Sequence, residues 1–254
     1  MVIVRFRSFP KTCLMLMSVA STILSSGVAG QLPDTQPALV GSGPNSLVDL
    51  INTQHLMERG VAHGALFFSA SISPSGVPSD YEIWGMTKET EPLRDELRTQ
   101  LYRARFVPAV YNHQNVFSTF NGTLTFSVID GKPHLRTFAN QELPELQKES
   151  DFIAPEPIRI PGHVYDFRTM KDPFGSWDNE DKPGVAEMLL SIDASGHLVD
   201  VRLLSVSPNN KSYGDYAVEM MHRRTFLPAY RNGKAVASIT HRKFYFVPSF
   251  SRLQ

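Results

Sequence analysis

The chain has 254 residues, of which 42% are apolar, and its 25 lysines and arginines equal its 25 aspartates and glutamates. This length allows one large domain or two of about 100 residues each, and the apolar content is enough to fill cores of that size. Because the formal charge is zero, no overall field draws the chain to nucleic acid or to an anionic membrane surface, and neither is a favoured partner.

The first thirty residues have the pattern of an export signal. Arg5, Arg7 and Lys11 form a basic start, an uncharged and mostly apolar stretch follows, and small residues lead up to Gly30. We therefore predict a signal peptide over 1–30, cleaved near Gly30, and a periplasmic or secreted mature protein. The apolar stretch is too short and too rich in serine and threonine for a good spanning helix. An uncleaved, membrane-held N-terminus is the alternative.

The single cysteine, Cys13, lies inside this segment. The mature chain would then contain no thiol, which excludes disulfides, cysteine metal ligands and cysteine nucleophiles. Such a chain must be held together by packing alone.

Four regions follow the signal segment. Residues 31–46 are predicted to be a mobile leader. A first module is predicted over 47–143, beginning with a short helix, and a second over 184–250. Residues 144–183 are rich in proline and aromatic residues, which is typical of an irregular connector that packs on a domain.

The two modules are diverged copies of one unit. Sliding the sequence against itself by 120 residues aligns 64–126 with 184–246, and counting identical pairs gives 15 in 63 positions, where unrelated chains give roughly four. The matched residues include a structural signature, which is Gly76, Phe106, Pro108, Gly196, Phe226 and Pro228.

Each copy predicts the order strand, strand, helix, strand. Gly76 and Gly196 interrupt two alternating runs, where a glycine can take the positive φ of a hairpin turn. A helical apolar pattern follows and supplies the lid for the apolar face of the hairpin. After the helix, the proline of the Phe-x-Pro motif forces an extended chain. In the first copy, Asp130-Gly131 predicts a turn into a fourth strand.

The second copy resembles the TonB C-terminal domain family. The resemblance rests on 192–201, on Arg223-Arg224-Thr225-Phe226-Leu227-Pro228-Ala229 and on Asn232-Gly233-Lys234-Ala235-Val236. It implies an α+β fold of two β-β-α-β modules, each a small antiparallel sheet packed on a helix. It also implies a periplasmic protein that binds a protein or peptide partner, such as an envelope protein, by adding the partner's strand to its own sheet edge. The third strand would carry this contact, through Thr240, Arg242, Phe244 and Phe246.

The resemblance leaves more than one role open. A TonB-type energy transducer for outer-membrane transport would need an anchor bearing a histidine and a long Pro-rich spacer, and neither 1–30 nor 31–46 supplies these. We therefore expect a free protein-binding module, with the anchored transducer as the alternative. A homodimer that pairs edge to edge would use the same strand.

No catalytic, metal or cofactor-binding constellation stands out. The eight histidines show no i, i+4 pair, which disfavours a helical metal site. We expect no enzyme activity and no cofactor. A small-ligand binder or hydrolase with a site between the modules, using Tyr165 and Trp177, is a further alternative. Arg223 and Arg224 either complement the negative end of a helix or dock an acidic partner.

Overall fold

The computed structural model describes residues 31–85, 87–159, 184–207, 209 and 211–246; the predicted signal peptide, the rest of the connector and residues 247–250 of the second module lie outside them. The described residues from Leu32 onward belong to one compact unit. The elements in chain order are β1 (Thr35–Gln36), β2 (Leu39–Val40), α1 (Leu47–Leu50), α2 (Thr53–Glu58), β3 (His63–Ile72), β4 (Pro78–Trp84), a 3₁₀ turn (Lys88–Thr90), α3 (Glu91–Leu101), β5 (Phe106–Val107), β6 (Ala109–Tyr111), β7 (Gln114–Ile129), β8 (Lys132–Phe138), α4 (Leu143–Gln147), β9 (Glu156–Arg159), β10 (Gly184–Ile192), β11 (Leu198–Ser207), α5 (Lys211–His222), β12 (Thr225–Leu227), β13 (Ala229–Arg231), β14 (Lys234–Val236) and β15 (Ser238–Phe246).

The fold is α+β, with antiparallel strand pairs throughout the described residues. None of the helices in these residues is long and apolar enough to cross a membrane. The fourth strand predicted after Asp130-Gly131 is confirmed as β8, which pairs with β7.

Each copy packs one face of its sheet on one helix. In the first copy the alternating residues of β3 that face α3 are fully buried, and Leu93, Leu97 and Leu101 of α3 meet them. In the second copy, Ala217 and Met221 of α5 lie on the buried face of β10 in the same way. Strand residues alternate between two faces, so this leaves the other face of each sheet turned away from its helix. We call the helix side the inner face and the opposite side the outer face.

The strand registers of the two copies coincide. In the first copy β3 pairs with β7 so that Gly64 lies opposite Phe126 and Ile72 opposite Ser118. In the second, β10 pairs with β15 so that Gly184 lies opposite Phe246 and Ile192 opposite Ser238. Every one of the nine pairs between these limits is shifted by the same 120 residues, and neither ladder contains a bulge.

The segment 31–46 differs from the mobile leader that the sequence predicts. Its residues form β1, which pairs with β6, and β2, which pairs with β5. Ala38 is buried and Val40 packs against the core of the first copy. Two-residue strands carry no periodic pattern, so their order comes from the partner strands and not from local sequence.

The start of the predicted connector is also ordered, and it links the two copies. Residues 144–159 contain most of α4 and all of β9. Strand β9 pairs with β7 of the first copy through Ile158 and Arg159, and with β12 of the second copy through Glu156, Pro157 and Ile158. The eight-stranded sheet of the first copy therefore includes a strand of the second.

The equivalent strands β7 and β15 differ at their outer edges. The edge of β7 that faces away from β3 is occupied by β8 over Thr123–Ile129 and by β9 at Phe117 and Ser118. The second sheet has the order β11-β10-β15, and no strand in the described part of the chain pairs with the far edge of β15. The second copy thus presents an edge that the first copy has covered.

Candidate functional site

The outer edge of β15 and the cleft beside it form the candidate site. Strand β15 is nine residues long and pairs along its whole length with β10. An unpaired strand edge of this length presents a row of N–H and C=O groups to any extended segment that reaches it.

The direction of the main-chain groups follows from the ladder. In the first copy the N–H of Val128 donates to the carbonyl of Ala62 at 2.8 Å, so Val128 points its main chain toward the β3 side. Because main-chain direction alternates along an antiparallel strand, the shared register directs Thr240, Arg242 and Phe244 toward β10. The residues between them, Ile239, His241, Lys243 and Tyr245, direct their N–H groups to the open edge.

The four residues singled out in the sequence have side chains on the inner face. Thr240 is only 4% exposed. The rings of Phe244 and Phe246 are tilted against each other with centroids 5.1 Å apart, and each packs edge-to-face on a tyrosine of α5. Arg242 reaches across to the first copy. The side chains of these four thus lie on the helix side of the sheet, and the alternate residues of β15 carry the side chains of the outer face.

The outer face of β15 is formed by the alternate residues. Ile239 and Tyr245 are each 65% exposed. Between them, the Nζ of Lys243 lies 2.8 Å from Oε1 of Glu187 on β10. The hydrogen bond from Lys243 lowers the pKa of Glu187, and the same bond raises the pKa of Lys243. The face therefore has two apolar ends around a charge pair that is already satisfied.

A buried polar cluster lies where β15 meets the first copy. The side-chain amide of Asn121 donates to Oε1 of Glu156 at 2.7 Å, and a guanidinium nitrogen of Arg242 lies 3.3 Å from the same oxygen. Arg242 also donates to the carbonyl of Pro155. Burial raises the pKa of Glu156 although Arg242 and Asn121 oppose the shift. The desolvation of this carboxylate thus outweighs its pairing.

A second carboxyl group lies near this cluster. The Oε1 atom of Glu142 is buried and forms no hydrogen bond with any described residue. Burial raises the pKa of Glu142, and the nearby guanidinium of Arg242 lowers it in part. Arg242 is therefore the cation that both buried carboxyl groups share.

Sequence patterns alone do not predict this cluster. Glu156 lies between Pro155 and Pro157 in a segment predicted to be irregular, and Asn121 lies in a strand whose alternation marks it only as an outer-face residue. The only sign in the sequence is a single glutamate within the otherwise apolar stretch 152–158. Its burial comes from the pairing of β9 with strands of both copies.

Beside the cluster, a cleft of about 220 Å³ separates the two copies. The first copy contributes Ser69, Thr119 and Asn121, and the second contributes Arg224 together with Arg242, Lys243 and Phe244. Tyr165 and Trp177, which the sequence suggested for a ligand site between the modules, lie outside the described residues. The cleft is therefore defined by other residues.

Arg224 follows the last turn of α5 and lines the cleft. Burial lowers the pKa of Arg224, and the positive charges of Arg242 and Arg159 lower it further. Within the described ranges, no group of three or more histidine, cysteine, aspartate or glutamate residues is placed to hold a metal ion. No protein-family model matches the chain, and no curated protein matches it.

Proposed function

We propose that this chain is an exported, non-enzymatic protein with two TonB C-terminal-like β-β-α-β modules, and that it binds an extended polypeptide along the outer edge of β15. In this mode of binding, main-chain hydrogen bonds supply affinity and alternate side chains supply selectivity. The observation that carries the proposal is the contrast between β7, whose outer edge is paired, and β15, whose outer edge has no partner in the described residues.

The first copy supports the geometry of this binding. Strand β7 has the same register with its inner neighbour as β15 has, and it accepts two antiparallel strands at its outer edge. Because β15 has the same register, its outer edge offers an added antiparallel strand the same main-chain arrangement that β7 offers to β8 and β9. The exposed side chains of Ile239 and Tyr245 favour a segment with apolar residues near both ends.

Site-specific photo-crosslinking tests the proposal. A photoreactive amino acid replaces Ile239 or Tyr245 in the full-length chain, expressed in a Gram-negative host. The matched control carries it at Val199, which is 67% exposed on β11. We expect adducts with another polypeptide at 239 and 245 and none at 199. Adducts at all three positions alike, or at none, would contradict a specific edge.

A substitution in the main chain separates edge pairing from side-chain contact. Proline at position 241 removes an N–H that faces the open edge, and proline is tolerated where the N–H of an edge strand faces solvent. His241→Ala removes the same side chain and keeps the N–H. We expect His241→Pro to abolish the crosslinks and His241→Ala to preserve them, with thermal unfolding of both variants as the check on folding.

The identity of the partner and the cellular location are tested in the same strain. Mixing two differently tagged copies distinguishes an envelope protein from a homodimer, because only a homodimer yields adducts that carry both tags. If the mass of the mature protein corresponds to a chain that begins near Gln31, the result supports an exported, free module. An intact N-terminus recovered with the membrane supports the anchored transducer instead.

A further inference from the structure

Arg224 differs from its neighbour Arg223 in having no partner among the residues that the structure describes. Arg223 is exposed and forms an ion pair with Glu219 one helical turn earlier. The Nε atom of Arg224 is buried and donates to no group, and the side chain forms no hydrogen bond or ion pair with any residue that the structure describes. A desolvated guanidinium without a counter-charge is costly, which is the usual reason that buried cations are paired.

The cleft leaves the charge of Arg224 uncompensated. Arg242 and Lys243, the other two cations that line it, already pair with Glu156 and Glu187. A neighbouring pocket of about 250 Å³ is lined by both Arg224 and Arg159. The guanidinium of Arg159 lies 5.5 Å from the ring centroid of Phe117. The cations near Arg224 are therefore Arg159 of β9 and Arg242 and Lys243 of β15. The carboxyl group among these lining residues is the buried one of Glu156.

Uncharged hydrogen-bonding groups complete the opposite wall. Ser69 and Thr119 line the cleft, and neither side chain forms a hydrogen bond with a described residue. One water needs about 15 Å³ of such space, so a cleft of this size has room for a larger polar group together with waters. A planar guanidinium fork matches the oxygens of a carboxylate or a phosphate.

We propose that this cleft binds an oxyanion group, a carboxylate or a phosphate, with Arg224 as its principal ligand and the hydroxyls of Ser69 and Thr119 as further donors. The anion supplies Arg224 with a counter-charge, which no residue in the described ranges provides. The three proposed ligands, Arg224, Ser69 and Thr119, lie outside β15, although Arg242, Lys243 and Phe244 of that strand also line the cleft.

The test titrates the full-length protein with sodium phosphate and, separately, with sodium acetate at constant ionic strength, and follows the arginine Nε–Hε signals by NMR. The signal of Arg224 is assigned by its loss in Arg224→Gln. We expect it to shift saturably with at least one of the two anions. A response to phosphate alone identifies a phosphate site, and a response to acetate alone identifies a carboxylate site.

Variants separate this site from general charge attraction, with the backbone amide of Thr119 as the reporter in each. Arg224→Gln is expected to lower the affinity for the anion at least about tenfold, which is the effect of losing a charge-assisted hydrogen bond. Arg224→Lys keeps the positive charge but loses the planar guanidinium, and it is expected to lower the affinity for the anion less than Arg224→Gln does. Arg223→Gln removes an equal charge one residue away and should bind like the unchanged protein.

Two results would overturn the site: no saturable shift of the Arg224 signal with either anion, or equal weakening by Arg223→Gln and Arg224→Gln. The His241→Pro variant should retain anion binding, so loss of the edge contact and loss of the anion site are distinguishable.

Discussion

Gly196 and Phe226 approach each other so closely that no other residue fits at the glycine. A Cβ added to Gly196 would lie 2.3 Å from the carbonyl oxygen of Phe226, and the φ angle of Gly196 is +86°. The first copy repeats the relationship, since a Cβ at Gly76 would lie 2.1 Å from the carbonyl oxygen of Phe106. The hairpin turn of each copy thus rests on the strand that follows its helix, which explains why these residues are matched between the copies.

Replacing Gly196 by alanine should destabilise the protein severely. The substitution combines the strain of positive φ, about 1–2 kcal/mol, with a collision against main-chain atoms that cannot move without shifting β12. We expect a loss of more than about 2 kcal/mol in the free energy of unfolding, measured with urea. Gly233→Ala is the matched control, because Gly233 has a φ of +68° and nothing within 4 Å of an added Cβ. A loss as large in the control would show that the contact with Phe226 is unimportant.

The sequence predicts the parts of the fold that periodicity governs. The two long hairpins, the helices α3 and α5 and the α+β class follow from alternating and helical apolar patterns with glycine at the turns. The pairing of β1, β2 and β9 does not, because strands of two to four residues contain no period and are ordered by their partners. The same limit applies to the site: a period of two separates Phe244 and Phe246 from Ile239 and Tyr245, but both sets include apolar residues, so the pattern alone does not tell which face is covered.

Glu142 should oppose folding at neutral pH. Because folding raises the pKa of this carboxyl group above its ordinary value of 4.5, through burial, the folded state binds the proton more tightly than the unfolded chain. The group therefore favours folding at low pH and opposes it as the pH rises through the raised pKa. The titratable groups that face it are Arg242, Glu145 and Arg231.

Glu142→Gln should consequently stabilise the protein at pH 7 by about 1 kcal/mol, since it replaces a half-buried carboxylate, whose Oε1 atom forms no hydrogen bond with a described residue, with a neutral amide. The gain should shrink as the pH falls toward 4.5. Urea unfolding at pH 7 and pH 4.5 measures both values. Destabilisation at pH 7, or a gain that does not depend on pH, would show that the carboxylate is adequately solvated.

Glu145 should behave in the opposite way. Both of its oxygens accept hydrogen bonds from the guanidinium of Arg231, at 2.8 and 3.1 Å, which ties α4 to β13 of the second copy. These bonds and one from Ser150 lower the pKa of Glu145 to about 2. Because the folded pKa lies below the unfolded value, the stabilisation is present above about pH 4.5 and is lost as the pH falls toward 2.

Glu145→Gln should lower the free energy of unfolding at pH 7 by about 1 kcal/mol, the upper range for a partly exposed pair. The difference from the unchanged protein should shrink below about pH 4.5 and disappear near pH 2. Glu149→Gln, which removes a more exposed ion pair with Arg136 from the same segment, is the control and should cost less than about 0.5 kcal/mol. Equal losses of unfolding free energy in the two variants would show that the paired hydrogen bonds between Arg231 and Glu145 add nothing to stability.

Amide hydrogen exchange along β15 tests the central claim, an open outer edge, most directly. We predict slow exchange at Thr240, Arg242 and Phe244, whose N–H groups face β10, and exchange at least about tenfold faster at Ile239, His241, Lys243 and Tyr245. Strand β7 is the internal control: Thr123, Thr125 and Ser127 occupy the same alternate positions but face β8, so they should exchange slowly. Uniform protection along β15 in the isolated protein would mean that its outer edge is already occupied, and would contradict the proposal that the edge awaits a partner's strand.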